Sequence, residues 1–365
     1  MDSDPNPSRI SMRDIAKRLG VSHVTVSMAL RDNPRVSAAV RKRIKETAEE
    51  LGYRPDPILA GLAAYRQNKL NPTIHAAVAW INAWPQPEKM RQHHEFDLYW
   101  KGAQSAAAKF GYRLEEFRLD CDYSPARLHQ IFQTRGIRGI LLPPQHPAPD
   151  WRDFPWEDYS IVRFGRSLPT PRSHLVTSDH VANTLLAFEK IRERGYRRIG
   201  FVTDESKMRE YGHYFEGGYL MAQRMVDETE RVPVFSTADL SDGDLSTSLA
   251  SWIREQHVDA IITNRAETPA ALKRAGIRVP GDIALATTTV LDTQIDSGID
   301  QEPEEIGRVG FLMLNSLIND GARGIPRVFR QNLVEGSWVN GESTPIRSAS
   351  PSPDRKLSKA RQNQE

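Results

Sequence analysis

The sequence predicts an α/β protein of two unlike parts: a small all-helical unit at the N-terminus, then a larger unit of two lobes built on parallel β-sheets. Three observations predict this. Residues 11–52 place apolar side chains at helical spacing in short segments broken by glycine and polar turns. From residue 74 onward, apolar runs of four to eight residues alternate with helical stretches, the pattern of strands covered on both faces by helices. That alternation continues for more than 250 residues, which is more than a single sheet needs.

In the first part, Ser11 followed by Asp14 resembles a capping box, and Met12, Ile15, Ala16 and Leu19 recur on one helical face until Gly20, which suits a left-handed C-terminal cap. Ser22 is placed to cap a second helix, GVSHVTVSMAL, whose inward face is Val26, Ala29 and Leu30. His23, Val24, Thr25, Ser27 and Met28 lie on its other side. A third helix begins at Ser37 and is expected to bury Val40, Ile44, Ala48 and Leu51 before Gly52, with Arg41, Lys42, Arg43 and Lys45 on its first half. Two short helices joined by a tight glycine-containing turn make a helix-turn-helix.

In the second part, strands are expected at 74–81, 139–142, 160–164, 199–203, 260–263 and 283–287, with helices at 97–110, 181–194, 245–256 and 304–319. The polar, Pro/Ser-rich residues 341–365 read as a disordered tail.

Charge supports a nucleic-acid partner for the first part. The net charge is only +2, yet residues 1–69 hold 13 Lys+Arg against 8 Asp+Glu, while the rest hold 36 against 39. Nothing approaches an 18-residue apolar span, and the start, MDSDPNPSR, lacks the apolar core of a signal peptide. A lone Cys121 excludes an internal disulfide and a cysteine-rich metal site, which fits a reducing compartment. A cytoplasmic, nucleoid-associated protein is the expectation. Nucleophile-elbow, phosphate-loop and zinc-protease motifs are absent from the sequence, so neither an enzyme nor a cofactor is expected. His93-His94-Glu95 and the stretch DLSDGDLS at 239–246 read as solvated loops rather than metal sites.

At this point the chain resembles the LacI/GalR family of bacterial transcription regulators. The match is carried by DIAKRLGVSHVTVSMAL and RVSAAVRKRIKETAEELGYRP in the first part, and by RERGYRRIGFVT, RVPGDIAL and IDQEPEEIGRVGFLML in the second. The resemblance implies a DNA-binding headpiece at 11–55, a hinge helix and linker at 56–73, and a two-lobed, periplasmic-binding-protein-like core for effector binding and dimerisation at 74–340. It implies phosphate and sugar contacts from Ser11, Ser22, Thr25, Ser27 and Ser37, base reading by His23, Val24 and Met28, and a further DNA contact at Arg31. Many members have an arginine where Met28 stands. Methionine offers van der Waals contact, for instance to a thymine methyl, in place of a bidentate hydrogen bond to guanine. Leu62, with Ile58 and Leu59 beside it, matches the leucine wedge that opens the central base step of the operator.

The implied function is a dimeric regulator, a repressor by family habit, that binds a pseudo-palindromic double-stranded DNA operator as a homodimer. A small molecule between the lobes, a sugar or sugar derivative, would modulate it. For the cleft, REYGHYFEGGY places His213 or Phe215 where sugar-binding members have arginine, and IALATTTV places Thr289 where they have aspartate. The remaining candidates are Trp84, Arg163, Arg166, Asp179 and Asn264. The competing reading, a transport receptor or carbohydrate enzyme with an incidentally basic start, requires an export signal or convergent acid-base residues.

Overall fold

The structure is a computed structural model, and it describes residues 12–30, 36–51, 76–119, 122–145, 147–151, 154–204, 213–237 and 242–347. Ser11, Arg31, Ile58, Leu59 and Leu62, with the hinge expected at 56–73, lie outside the described residues, and so does the tail beyond residue 347.

Three helices open the chain: α1 (Met12–Leu19), α2 (His23–Leu30) and α3 (Ala38–Glu50). Gly20 takes the left-handed conformation (φ 65°) that ends α1, and the chain turns into α2 within three residues. Ile15, Val26, Ala29, Val36 and Ile44 form their shared core. The expected inward face of α2 is correct for Val26 and Ala29. That of α3 needs one correction, because Val40 is exposed: Val36, just ahead of the helix, is the valine in the core. Arg41 fixes that residue by donating to the Val36 carbonyl at 2.9 Å.

The remaining elements are β1 (Ala76–Asn82), α4 (Pro87–Gln92), α5 (His94–Lys109), β2 (Tyr112–Arg118), α6 (Pro125–Arg135), β3 (Gly139–Leu142), β4 (Ser160–Phe164), β5 (His174–Ser178), α7 (His180–Glu193), β6 (Ile199–Thr203), α8 (Tyr214–Arg224), β7 (Phe235–Ser236), α9 (Asp242–Glu255), β8 (Ala260–Thr263), α10 (Thr268–Arg274), β9 (Ala284–Thr287), β10 (Gly298–Asp300), α11 (Pro303–Asp320), β11 (Gln331–Val334) and β12 (Ser337–Val339). They form two six-stranded sheets, ordered β11-β5-β4-β3-β1-β2 and β12-β10-β9-β8-β6-β7. All pairings are parallel except β10 with β12. Parallel sheets are covered on both faces, which is why the central strands β3, β4, β6 and β8 are apolar almost throughout and legible as runs.

Each sheet carries one apolar core on each face. In the first lobe Trp80, Phe164 and Phe311 fill one face, and Phe132, Trp151 and Tyr159 the other. In the second lobe the pairs are Phe201 with Tyr219 and Leu249 with Trp252. The chain crosses between lobes three times. After β5 it leaves for α7, whose Ala187, Phe188 and Ile191 pack in the second lobe; α11 returns with Ile306, Phe311 and Leu314 to the first; and β12 follows β11 back.

Helices α5 and α11 meet backbone to backbone. A Cβ at Gly102 would collide with the Glu304 carbonyl, and one at Gly307 with the Tyr99 carbonyl, so no larger residue fits either position.

The first seven residues of the tail expected at 341–365 are ordered. Tyr196 donates from its hydroxyl to the Pro345 carbonyl at 2.9 Å, the Arg347 amide donates to the Arg194 carbonyl at 2.9 Å, and Thr344 is buried. Residues 341–347 belong to the second lobe, because they satisfy polar groups there that composition cannot reveal.

Candidate nucleic-acid interface and interlobe cleft

The outward side of α2 is built by a local cap. Ser22 Oγ accepts from the Thr25 amide at 3.0 Å and lies 2.8 Å from the Thr25 hydroxyl, which satisfies one of the free N–H groups at the start of the helix. His23 and Val24 then stand exposed, with Thr25 half-buried beside them. Met28, expected on the free side, is also half-buried and packs against the headpiece core, so only part of its surface is open. Ser37 stands at the N-cap of α3 with no side-chain cap bond. Of Ser27 only the backbone is described. Arg41, Lys42, Arg43 and Lys45 sit on the first half of α3 as the sequence places them.

The second site lies between the lobes, at the carboxyl ends of the strands, where open α/β sheets bind ligands. Its cavity of about 340 Å³ is lined from the first lobe by Trp84, His93, Glu95, Phe96, Tyr99, Gln145, Arg166 and Ser167, and from the second by His180, Phe215, Asn264, Thr288, Thr289 and Gln301. Of the seven residues expected in the cleft, Trp84, Arg166, Phe215, Asn264 and Thr289 line it. Two do not. Arg163 points within its own lobe and donates to the Leu168 carbonyl, and Asp179 caps α7 by accepting from the Ala182 amide at 3.0 Å. Both lie on strand ends beside the cleft, which sequence spacing cannot tell apart from lying inside it. His213 is exposed and bonded to Glu216 at 2.9 Å, so Phe215 is the residue of that segment in the cleft.

The pair His93 and Glu95, expected in a solvated loop, is the main correction. Helix α5 begins at His94, three residues earlier than its own sequence signals, because its N-cap comes from the other lobe: Asp292 accepts from the His94 amide at 3.1 Å and the Glu95 amide at 3.3 Å. This swings His93 and Glu95 into the cleft wall. Trp84 Nε1 donates to the Pro144 carbonyl at 2.9 Å, and the rings of Trp84, His93, Phe96 and Tyr99 follow one another at 5.4 to 6.0 Å. On the facing side the rings of His180 and Phe215 lie 4.4 Å apart, tilted by 53°.

Two ionisable groups of the cleft wall are shifted toward their neutral forms. Burial raises the Glu95 carboxyl above its ordinary 4.5; the Tyr99 hydroxyl, donating at 2.9 Å, opposes this, and the nearby Asp292 and Asp300 add to it. Burial pushes His180 down to about 4, so its ring is neutral at neutral pH; Nδ1 donates to the Ser178 carbonyl at 2.6 Å and leaves Nε2 as an acceptor. Among the described residues, Arg166 is the cation in the lining. It lies 3.8 Å from the Tyr214 ring and donates from Nη2 to Gln331 at 3.1 Å. Arg166 Nε, Ser167 Oγ and Thr289 Oγ1 are buried without a hydrogen-bond partner among the described residues, and such atoms in a cleft call for a polar ligand. No group of His, Cys, Asp or Glu among the described residues could hold a metal ion, and no helix among them is long and apolar enough to cross a membrane.

A helix-turn-helix joined to a two-lobed ligand-binding core defines a DNA-binding transcriptional regulator. Residues 11–56 match the family model described as bacterial regulatory proteins, lacI family, and residues 188–344 match the periplasmic binding protein-like domain. The HTH-type transcriptional repressor CytR of Escherichia coli (strain K12) is 26% identical over 346 residues, covering 86% of this chain and 91% of that protein. Catabolite control protein A of Streptococcus mutans is 24% identical over 345 residues, covering 85% and 92%. Among solved structures, the transcriptional regulator CelR-cellobiose complex has the same fold, with a TM-score of 0.52 at 20% identity, covering 92% of this chain and 100% of that one. The chain belongs to the LacI/GalR family of non-enzymatic DNA-binding transcriptional regulators.

The state of Glu95 gives a pH dependence. Its raised pKa means that the folded, closed protein holds the proton more tightly than the unfolded chain, so its contribution to stability is full below 4.5 and is lost as pH rises through the raised value. Glu95→Gln keeps an acceptor for Tyr99 and carries no charge. Its thermal midpoint is expected to fall less than the parent's as pH rises from 4.5 to neutrality; equally steep curves would exclude this carboxyl as the cause.

Proposed function

We propose that the protein is a cytoplasmic, dimeric repressor that binds a pseudo-palindromic operator through α2 and responds to a small molecule held between its lobes. The observation that carries this reading is the free outer side of α2: His23 and Val24 stand open beside a capped N-terminus, at the size a major groove of about 12 Å admits. The name of the relative CytR, a repressor, supports the direction of control. Phosphate and sugar contacts are assigned to Ser11, Ser22, Thr25, Ser27 and Ser37, base reading to His23, Val24 and Met28, a further contact to Arg31, and the minor-groove wedge to Leu62 with Ile58 and Leu59. The domain limits follow as 11–55 for the headpiece, 56–73 for the hinge and linker, and the core beyond.

Dimerisation is supported by α8. Leu220 and Met221 on it and Met225 just past its end are exposed, with Met225 at 72%, apolar surface that a lone soluble protein rarely shows. The effector is assigned to the aromatic cleft. Arg166 among the described residues, a carboxyl whose charged form burial disfavours and a neutral imidazole suit a sugar derivative with an acidic group: Arg166 would meet the anion, and Trp84 or Phe215 a ring face.

Three outcomes are expected. Fragments selected from a random DNA pool carry an inverted repeat, binding weakens steeply with salt, and Met28→Arg changes base preference within each half-site by about 1–3 kcal/mol; selected sites without inverted symmetry would refute the dimeric reading. Met221→Asp with Met225→Asp shifts the protein from dimer to monomer in light scattering, and an unchanged mass would remove α8 from the interface. In thermal-shift screening, sugar acids or sugar phosphates stabilise the protein by about 2.7 kcal/mol at a hundredfold excess over Kd, and Arg166→Ala abolishes the shift. Equal stabilisation by a neutral monosaccharide, unaffected by Arg166→Ala, would overturn the assignment.

A further inference from the structure

The first lobe has two ends of different chemistry. All strands of its sheet run the same way, so the loops after β1, β3, β4 and β5 open on the cleft, while the amino ends of the strands gather at the far end. At that far end lie Arg138, one residue ahead of β3, and Arg172, two ahead of β5, the latter over the Phe329 ring of the segment that follows α11. This segment, GARGIPRVFRQ, contributes Arg323, Arg327 and Arg330, which line one depression of about 220 Å³ together with His174.

None of these five arginines has an ion-pair partner among the described residues. Arg323, Arg327, Arg330 and Arg172 are exposed, and Arg172 lies over the Phe329 ring at 4.4 Å. The face is held firmly. The Arg330 amide donates to His174 Nδ1 at 3.0 Å, which requires that nitrogen to be an acceptor, and burial and Arg330 lower the His174 pKa in agreement. Ser160 Oγ donates to the Ala322 carbonyl at 2.6 Å, and the Gly324 amide to the Tyr159 carbonyl at 2.9 Å. The acids at this end are Glu157, Asp158 and Asp320, of which Asp158 already accepts from Gln133 at 3.0 Å. Elsewhere on the surface, arginines such as Arg91, Arg278 and Arg308 are paired with carboxylates within 3 Å.

The position of this face matches its charge. Strand β1 begins at Ala76, at this same end, so the chain arriving from the DNA-binding helices enters the lobe here and not at the cleft. We infer that Arg138, Arg172, Arg323, Arg327 and Arg330 form a second DNA-contact face, which grips operator phosphates in addition to those met by the headpiece and reads no bases. The inference rests on the DNA-binding reading of α2 and adds to it a sequence-independent contact made by the core. Exposed, unpaired guanidinium groups on a fixed loop are suited to phosphate, since each contact releases counterions and steepens the salt dependence of binding.

The test uses the full chain and an operator fragment selected by it, with affinity measured by fluorescence anisotropy across a salt series. Arg327→Ala with Arg330→Ala is expected to lower the slope of log K against log salt by about 2 and to leave half-site preference unchanged. Arg327→Lys with Arg330→Lys keeps most of the slope, which separates charge from damage to the fold. Met28→Arg, by contrast, changes preference and leaves the slope alone. Specific binding by the parent with an unchanged slope in the alanine variant overturns this face as a DNA contact, and is also the result expected if the face serves an acidic protein instead. Absence of specific binding by the parent overturns the DNA reading of α2 itself and this inference with it.

Discussion

Parallel pairing is the constraint on which the rest of this molecule depends. A strand that must run in the same direction as its neighbours needs a crossover between them, and the crossovers cover both faces of each sheet with helices. What is left unburied is the two edges where strands begin and end. In the first lobe the carboxyl edge supplies Trp84, Gln145, Arg166 and Ser167 to the cleft, and the amino edge supplies Arg138, Arg172 and Arg330 to the opposite end. Ligand chemistry and charge are separated because the strands are aligned.

The described contacts across the cleft are modest. Asp292 caps α5, an interaction of the kind worth about 0.5–2 kcal/mol, and Arg166 lies on Tyr214, worth about 0.5–1 kcal/mol where exposed. Typical allosteric coupling energies, about 1–3 kcal/mol, are of the same size. A ligand that touches both walls can therefore compete with the contacts that set closure. His180, neutral at neutral pH, adds no charge to that seam, and burial there disfavours the charged form of Glu95.

Helix α11 links the two ends. At 18 residues it spans about 27 Å, from Pro303, next to the cleft residue Gln301, to Asp320, three residues ahead of Arg323. It is locked to α5 through the glycines Gly102 and Gly307, and α5 is the helix capped by Asp292 from the second lobe. The element that carries the basic loop thus packs directly on the element that carries the interlobe contact, and tightly packed helices move as units rather than bending.

The sequence by itself determined the order of the parts, the helix-turn-helix and most central strands, because these depend on local physics: the Ser22 cap, the left-handed Gly20, and apolar runs that two-sided burial demands. Five of the seven residues expected at the cleft line the cavity between the lobes, since loops at the carboxyl ends of parallel strands converge by topology alone. Only the tertiary structure decided the rest. Arg163 and Asp179 left the cleft because a carbonyl and a helix start within reach took their hydrogen-bonding capacity. Val40 yielded its core position to Val36, and Met28 was drawn partly into the core. The edge strands β11 and β12 flank a third crossing that no periodicity announces. His93 and Glu95 became cleft residues because the cap that starts their helix is Asp292, nearly two hundred positions away in the chain and in the other lobe.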